Sequence, residues 1–97
     1  MATSKIRVSA SGAVAGDATD WLQLRGGRRF FDISVAGTFN QTIILERKRP
    51  GEADGAARVV ESFSAAAQKV GEIAGHWDLR LRVTAVTSGT SSLELGV

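Results

Sequence analysis

The chain has 97 residues, of which 43% are hydrophobic, and it contains no cysteine. This length fits one small domain spanning residues 1–97, and a sequence without cysteine excludes a disulfide framework and a thiolate metal site. The net charge of +2 is too balanced to indicate a polyanionic partner by itself. No apolar run approaches the length of a membrane span or of a signal-peptide core. A domain of this size without disulfides often gains stability by oligomerising.

The N-terminal segments alternate between apolar and polar residues, as half-buried strands do. "KIRVSASG" places Ile6 and Val8 on one face. After "AGDATD", which predicts a loop, "DWLQL" places Leu22 and Leu24 on one face with Trp21 opposite. "RGGRR" follows and predicts a turn, because paired glycines reach positive φ without steric cost.

Two further strands are predicted before the middle of the chain. "FFDISVAG" turns Phe31, Ile33 and Val35 inward and Phe30 outward. "TFNQTIILERKR" alternates as well, except that Ile44 breaks the pattern, which predicts an interface position for this side chain.

The polar stretch "RPGEADGA" contains Pro-Gly and Asp-Gly, so it predicts an exposed hairpin loop within residues 47–56. The following segment, "GAARVVESFSAAAQKVGEIA", has apolar residues near a helical spacing, and a helix is the alternative there. Its β-branched pair, its serines and Gly71 favour two strands that separate around residues 65–68.

At the C-terminus, "HWDLRLRVTAV" and "SSLELGV" flank "TSGT". We expect these segments to form a β-hairpin closed by that short turn. The residues predicted to face inward are Leu79, Leu81, Val83, Ala85, Leu93, Leu95 and Val97. The whole pattern of seven or eight short strands predicts an all-β fold: an antiparallel two-sheet β-sandwich, either jelly-roll or immunoglobulin-like.

The sequence offers little for catalysis or metal binding. His76 is the only histidine, and Asp78, two residues on, could orient it as a general base. Such a pair is not specific to catalysis, so we favour an ordinary histidine at the rim of the fold. One histidine and no cysteine suit zinc poorly. Glu52 and Asp54 share a loop but lack the further oxygen ligands of a calcium loop. We therefore predict no catalytic, metal or cofactor site.

Basic and aromatic residues leave several binding roles open. "RGGRR" and "RKR" could together bind phosphates, with Phe30 stacking on a base. Contact with an acidic surface on a protein partner explains the same cations, and the neighbouring acidic residues argue against a nucleic-acid partner. Trp21 and Trp77 could form a sugar platform, but covering the core or an interface is favoured for both rings.

The segments "GTFNQTIILERKR" and "VVESFSAAAQKVGEIAGHWDLRLRVTAVTSGTSSLEL" resemble small β-sandwich proteins of tailed bacteriophages and related particles. The matching positions are Gly37, Thr38, Leu45–Arg47, Gly75–Trp77 and Leu79–Thr90. The resemblance covers about two-thirds of the chain and implies a virion protein that is assembled in the cytoplasm of a bacterial host. It implies a head decoration or spike-base protein, or alternatively a tail or baseplate subunit, without active-site residues.

We expect a non-enzymatic protein that docks on a capsid as a symmetric oligomer, with itself and capsid or tail subunits as partners. The alternatives are a tail subunit and a carbohydrate- or nucleic-acid-binding module. Two groups of residues are predicted to contact partners: Trp21, Arg25, Arg28 and Arg29 at one end, and Arg47, Lys48, Arg49 and Asp54 in the loop at the other.

Overall fold

A computed structural model describes residues 7–25 and 29–97, except for the side chain of Arg29. Eight strands account for most of this part of the chain: β1 Arg7–Gly12, β2 Leu22–Leu24, β3 Arg29–Ala36, β4 Phe39–Lys48, β5 Arg58–Phe63, β6 Ala67–Ile73, β7 Trp77–Gly89 and β8 Ser91–Gly96. A single 3₁₀ turn, Asp54–Ala56, precedes β5. Among the described residues, no helix is long and apolar enough to span a membrane.

The strands form two four-stranded antiparallel sheets. The first has the order β1-β8-β3-β6 and the second β2-β7-β4-β5. Strand pairs are therefore nested along the chain, with β4 against β5 inside, then β3 against β6, β2 against β7, and β1 against β8 outside. This nesting is the strand order of a jelly roll. The predicted two-sheet β-sandwich is confirmed, and the topology selects the jelly roll over the immunoglobulin-like alternative.

Alternating side chains of both sheets meet in one apolar core. The buried members are Val8, Leu22, Leu24, Phe31, Ile33, Val35, Ile43, Leu45, Phe63, Leu79, Leu81, Val83, Leu93 and Leu95. Most inward positions predicted from the alternation are thus confirmed, while Ile6 lies outside the described residues. Ile44 is only 6% exposed, on the outer face of the second sheet beside Ser62 and Arg82. Other residues of the same chain bury Ile44, so the interface position predicted for it is wrong.

One end of the core is closed by a buried polar side chain. Gln41 donates from Nε2 to the carbonyl oxygens of Gly12 (2.8 Å) and Gly89 (3.0 Å). Its Oε1 accepts a hydrogen bond from the Ser91 hydroxyl at 2.8 Å. One side chain of β4 therefore joins the ends of β1, β7 and β8.

The predicted hairpin at "TSGT" is wrong. The first three of these residues continue β7, which ends at Gly89, and β8 begins at Ser91 in the other sheet. Gly89 has φ +81°, and a Cβ at this position would collide with the backbone of Thr38 and Phe39. Because glycine tolerates both conditions, the chain can turn here and cross to the other sheet through a single residue, Thr90.

The inward predictions for Ala85 and Val97 are also wrong. Thr42 pairs with Ala85 and Ile43 with Val83, so one extra residue interrupts the register of β7. This β-bulge reverses the alternation, exposing Ala85 and turning Val86 toward the core. Val97 lies beyond the end of β8 and is 40% exposed.

The other predictions for the middle of the chain are confirmed. The loop after β4 closes a hairpin, since β4 and β5 pair directly. The ambiguous segment forms strands rather than a helix: β5 ends at Phe63 in one sheet and β6 begins at Ala67 in the other.

Candidate functional site

The two predicted groups of contact residues meet at one end of the second sheet. There Leu24 at the end of β2 pairs with Trp77 at the start of β7, and Lys48 at the end of β4 pairs with Asp78. Arg25 donates to the Trp77 carbonyl oxygen at 3.0 Å and to the Asp78 carboxylate at 2.9 Å. The expectation that the groups lie at opposite ends is therefore wrong.

Not every predicted residue can be placed at this end. Arg28 lies outside the described residues. The backbone of Arg29 begins β3, but its side chain is likewise outside the description.

Trp21 joins the two groups directly. Its indole nitrogen donates to the Asp54 carboxylate at 3.1 Å, and that carboxylate also accepts a hydrogen bond from Lys48 at 3.0 Å. Lys48 Nζ lies 4.7 Å and Arg80 Cζ 4.4 Å from the centroid of the Trp21 ring. The hydrogen bond from Lys48 is the main reason that the pKa of Asp54 lies below its usual value. Two cation–π contacts and a hydrogen bond to Asp54 thus hold Trp21 in place.

A buried carboxylate lies beside this cluster on the outer face of the second sheet. Glu46 is only 3% exposed and accepts hydrogen bonds from Arg80 Nε at 2.6 Å and Arg82 Nε at 2.8 Å. Burial alone would raise the pKa of Glu46, but the hydrogen bonds and charges of Arg82 and Arg80 outweigh it, so the pKa is lowered. Glu46 is therefore charged at neutral pH and joins two strands.

The second tryptophan lies in a small basic pocket. The guanidinium carbons of Arg47 and Arg49 are 4.4 and 3.9 Å from the centroid of the Trp77 ring. The Trp77 indole nitrogen donates to the Ala74 carbonyl oxygen at 2.8 Å. The pocket has a volume of about 260 Å³. We call it the Trp77 pocket, and its lining residues are Arg47, Lys48, Arg49, Glu52, Ala56, Arg58 and Trp77.

The arginines of this pocket differ from the other described cations in whether a carboxylate neutralises their charge. The cations with carboxylate partners are Arg7, Arg25, Lys48, Lys69, Arg80 and Arg82. Within residues 7–25 and 29–97, Arg47, Arg49 and Arg58 have no ion pair with a carboxylate. The unpaired positive charge of the described surface is therefore concentrated at the Trp77 pocket.

Sequence reasoning identified part of this site and missed part of it. Of the predicted residues, the structure brings together Trp21, Arg25, Arg47, Lys48, Arg49 and Asp54. It adds Glu46, Arg58, Arg80 and Arg82, none of which was predicted to be part of it. The available signal was the regular "LRLR" at the start of β7, whose arginines share a face opposite the core.

The structure also places the residues that were considered for catalysis and metal binding. His76 is exposed in the bend between β6 and β7, and Asp78 is engaged by Arg25 instead. The Glu52 carboxylate accepts the backbone N–H of Arg49 at 2.6 Å, and that of Asp54 is held by Lys48, as described above. Among the described residues, no group of three or more candidate metal ligands occurs.

A second surface combines apolar side chains with strand edges. β5 and β6 are the outermost strands of their sheets on the same side of the sandwich, and an ion pair between Lys69 and Glu61 links them. The exposed apolar residues on or beside these strands are Val59 (61%), Val60 (44%), Val70 (75%) and Phe30 (66%). We call this surface the β5–β6 side.

A scan against known protein families finds no family model that matches the chain, and a search of curated proteins finds no significant match.

Proposed function

We propose that this chain is a non-enzymatic structural subunit that assembles with copies of itself and docks on a larger particle. The exposed apolar residues of the β5–β6 side carry the proposal. An outermost strand offers unpaired backbone N–H and C=O groups to another chain, and exposed valines add apolar area to such a contact. A small domain without disulfides also gains stability from association.

The β5–β6 side has some of the features that protect a strand edge against association and lacks others. Protected edges carry inward-pointing charges, lysines, prolines, β-bulges or very short strands. β5 has a bulge at Val60 and β6 carries Lys69, but the two strands have six and seven residues and neither contains proline. Val70 pairs across the sheet with Asp32, and Phe30 pairs with Glu72, so Phe30 and Val70 are diagonal neighbours on one face. This arrangement favours a contact with an apolar centre and a polar rim.

Light scattering of the purified chain tests the assembly. We expect an oligomer whose mass falls toward that of the monomer in the double variant Val60→Glu with Val70→Glu. The matched control is Val14→Glu, since Val14 is 59% exposed in the loop after β1 and far from both strands in sequence. A monomeric wild-type chain at the highest soluble concentration would refute self-assembly. Oligomers of equal mass for all three proteins would refute the β5–β6 side as the interface.

The resemblance to small sandwich proteins of tailed bacteriophages supports a more specific form of this proposal. In that form the chain is a virion protein that is made in the bacterial cytoplasm and docks on the capsid as a decoration or spike-base subunit. A tail or baseplate subunit is the alternative. We expect its gene to lie among capsid, portal and tail genes and the chain to be found by mass spectrometry in purified particles. A metabolic gene neighbourhood and particles that lack the chain would count against it.

A further inference from the structure

The Trp77 pocket has the properties of a preformed anion site. Arg47, Arg49 and Arg58 line the pocket, and none of them forms an ion pair with a carboxylate among the described residues. Arg47 and Arg49 lie over the Trp77 ring. Arg47 and Arg58 are directly opposite each other on β4 and β5, so the backbone register fixes one pair of these like charges as neighbours. Neighbouring guanidinium groups repel one another, and an anion between them would relieve the repulsion.

The loop that borders the pocket is held by its own hydrogen bonds. Lys48 Nζ donates to the Glu52 carbonyl oxygen at 2.7 Å, and the Arg49 N–H donates to the Glu52 carboxylate at 2.6 Å. The Glu52 N–H in turn donates to the Arg49 carbonyl oxygen at 3.1 Å. A ligand would therefore meet a loop that is already ordered, so that little conformational entropy is lost on binding.

We propose that the Trp77 pocket binds the carboxylates of an acidic segment on a protein partner. The proposal rests on the proposed function in one respect, namely that the partner is a protein. Arginine suits this role because its planar guanidinium group can donate two parallel hydrogen bonds to one carboxylate. Trp77 and Ala56 supply apolar walls for the methylene groups of an acidic side chain.

Two observations favour an acidic peptide over a nucleic acid. A nucleic-acid surface neutralises several successive phosphates, about 6–10 in a strongly salt-dependent complex. Outside the pocket, the described cations are already engaged by carboxylates, so they offer no continuous track for a phosphate backbone. In addition, Glu52 lines one wall and the pocket encloses only about 260 Å³, which suits one or two carboxylates.

The test uses the full chain and fluorescein-labelled hexaglutamate, with binding followed by fluorescence anisotropy at low salt. We expect binding that weakens as salt is added. The double variant Arg49→Gln with Arg58→Gln should bind about tenfold more weakly, since each exposed guanidinium contributes a modest ion-pair energy. The control, Arg7→Gln, removes a positive charge from a position outside both the pocket and the β5–β6 side and should bind like the wild type.

A local readout separates specific binding from a general effect of charge. In a two-dimensional NMR spectrum, the Trp77 indole N–H signal should shift during the titration in the wild type but not in the Arg49→Gln, Arg58→Gln variant. Failure of hexaglutamate to bind, or a loss of affinity in Arg7→Gln equal to that in the Arg49→Gln, Arg58→Gln variant, would overturn the proposal. So would tighter binding of an oligo(dT) of the same charge, which would indicate a nucleic-acid site, or an equal response to inorganic phosphate alone.

These outcomes are distinguishable from those for assembly. A monomeric chain that binds hexaglutamate through Trp77 would retain the acidic-segment site and refute self-assembly. An oligomer whose mass depends on Val60 and Val70 but which ignores hexaglutamate would do the reverse.

Discussion

Replacing Glu46 with glutamine tests the buried ionic network of the second sheet. Glu46→Gln keeps the size of the side chain and one acceptor oxygen but removes the charge that Arg80 and Arg82 share. A hydrogen bond to a charged group contributes about 1.5–3 kcal/mol, against about 1 kcal/mol for a neutral one. Two such bonds, at 2.6 and 2.8 Å, are weakened, so we expect a loss of about 2 kcal/mol in the free energy of unfolding.

The partial exposure of the arginines sets the upper limit of this loss. The side chains of Arg80 and Arg82 are 16% and 35% exposed, so both can recover some hydration when Glu46 loses its charge. The loss should therefore stay below the 3–5 kcal/mol or so that follows the breaking of a fully buried pair. For a domain of this length, about 2 kcal/mol corresponds to a fall in Tm of roughly 8–16 °C.

Thermal and urea unfolding, both followed by circular dichroism, measure this effect. The matched control is Glu94→Gln, because Glu94 also pairs with an arginine, Arg7, but both side chains are 45% exposed. Exposed pairs contribute about 0.2–1 kcal/mol, so the control should change little. A Glu46→Gln protein as stable as the Glu94→Gln protein would refute the view that this network stabilises the sheet.

The same variant has a defined pH dependence. The pKa of Glu46 is lower in the folded chain than its ordinary value of about 4.3, so its stabilising effect is fully present above that pH. The effect is lost as the pH falls through the lowered folded pKa. The difference in stability between wild type and Glu46→Gln should therefore be largest near neutral pH and shrink in acid. Asp17, whose pKa is also lowered, is common to both proteins and cancels in the comparison.

Two other substitutions test packing and buried polarity. A Cβ on Gly71 would overlap the ring of Phe31, so Gly71→Ala should lower the free energy of unfolding in urea by about 1–3 kcal/mol. The control Gly55→Ala places its Cβ in open space and should be nearly neutral. Equal effects of the two substitutions would contradict the predicted overlap. Gln41→Leu removes the amide donor to the Gly12 and Gly89 carbonyl oxygens and the acceptor of the Ser91 hydroxyl, so it should cost about 1–3 kcal/mol in the same measurement. The exposed Gln68→Leu should change little.

The alternation of apolar residues was sufficient to predict the strands and most of the core, because a half-buried strand needs that pattern to bury one face. It could not predict the β-bulge after Val83, since one extra residue shifts the phase without any change in composition. The jelly-roll order was likewise beyond a single sequence. "TSGT" has the composition of a hairpin turn, yet Gly89 takes the chain across to the other sheet.

The polar parts of the site were harder to predict because they depend on pairing between distant strands. Glu46 follows the outward pattern of β4, and only the register of β4 against β7 brings it beside Arg80 and Arg82. Gln41 occupies an inward position between Phe39 and Ile43, which is a local signal for a buried polar side chain. Its partners come from three other strands, so the sequence could not identify them.

The two kinds of charge at this end of the sandwich have different physical consequences. Glu46, Arg80 and Arg82 satisfy one another, and such a network can be explained by the stability of the fold alone. Arg47 and Arg58 face each other without a carboxylate partner among the described residues, so they repel each other, and the contact of Arg47 with the Trp77 ring offsets this cost in part. Like charges held together without a carboxylate partner in an ordered pocket are the feature on which the proposed acidic-segment site rests. The pairing pattern of the arginines, more than their number, therefore favours this pocket for that proposal over the rest of the described surface.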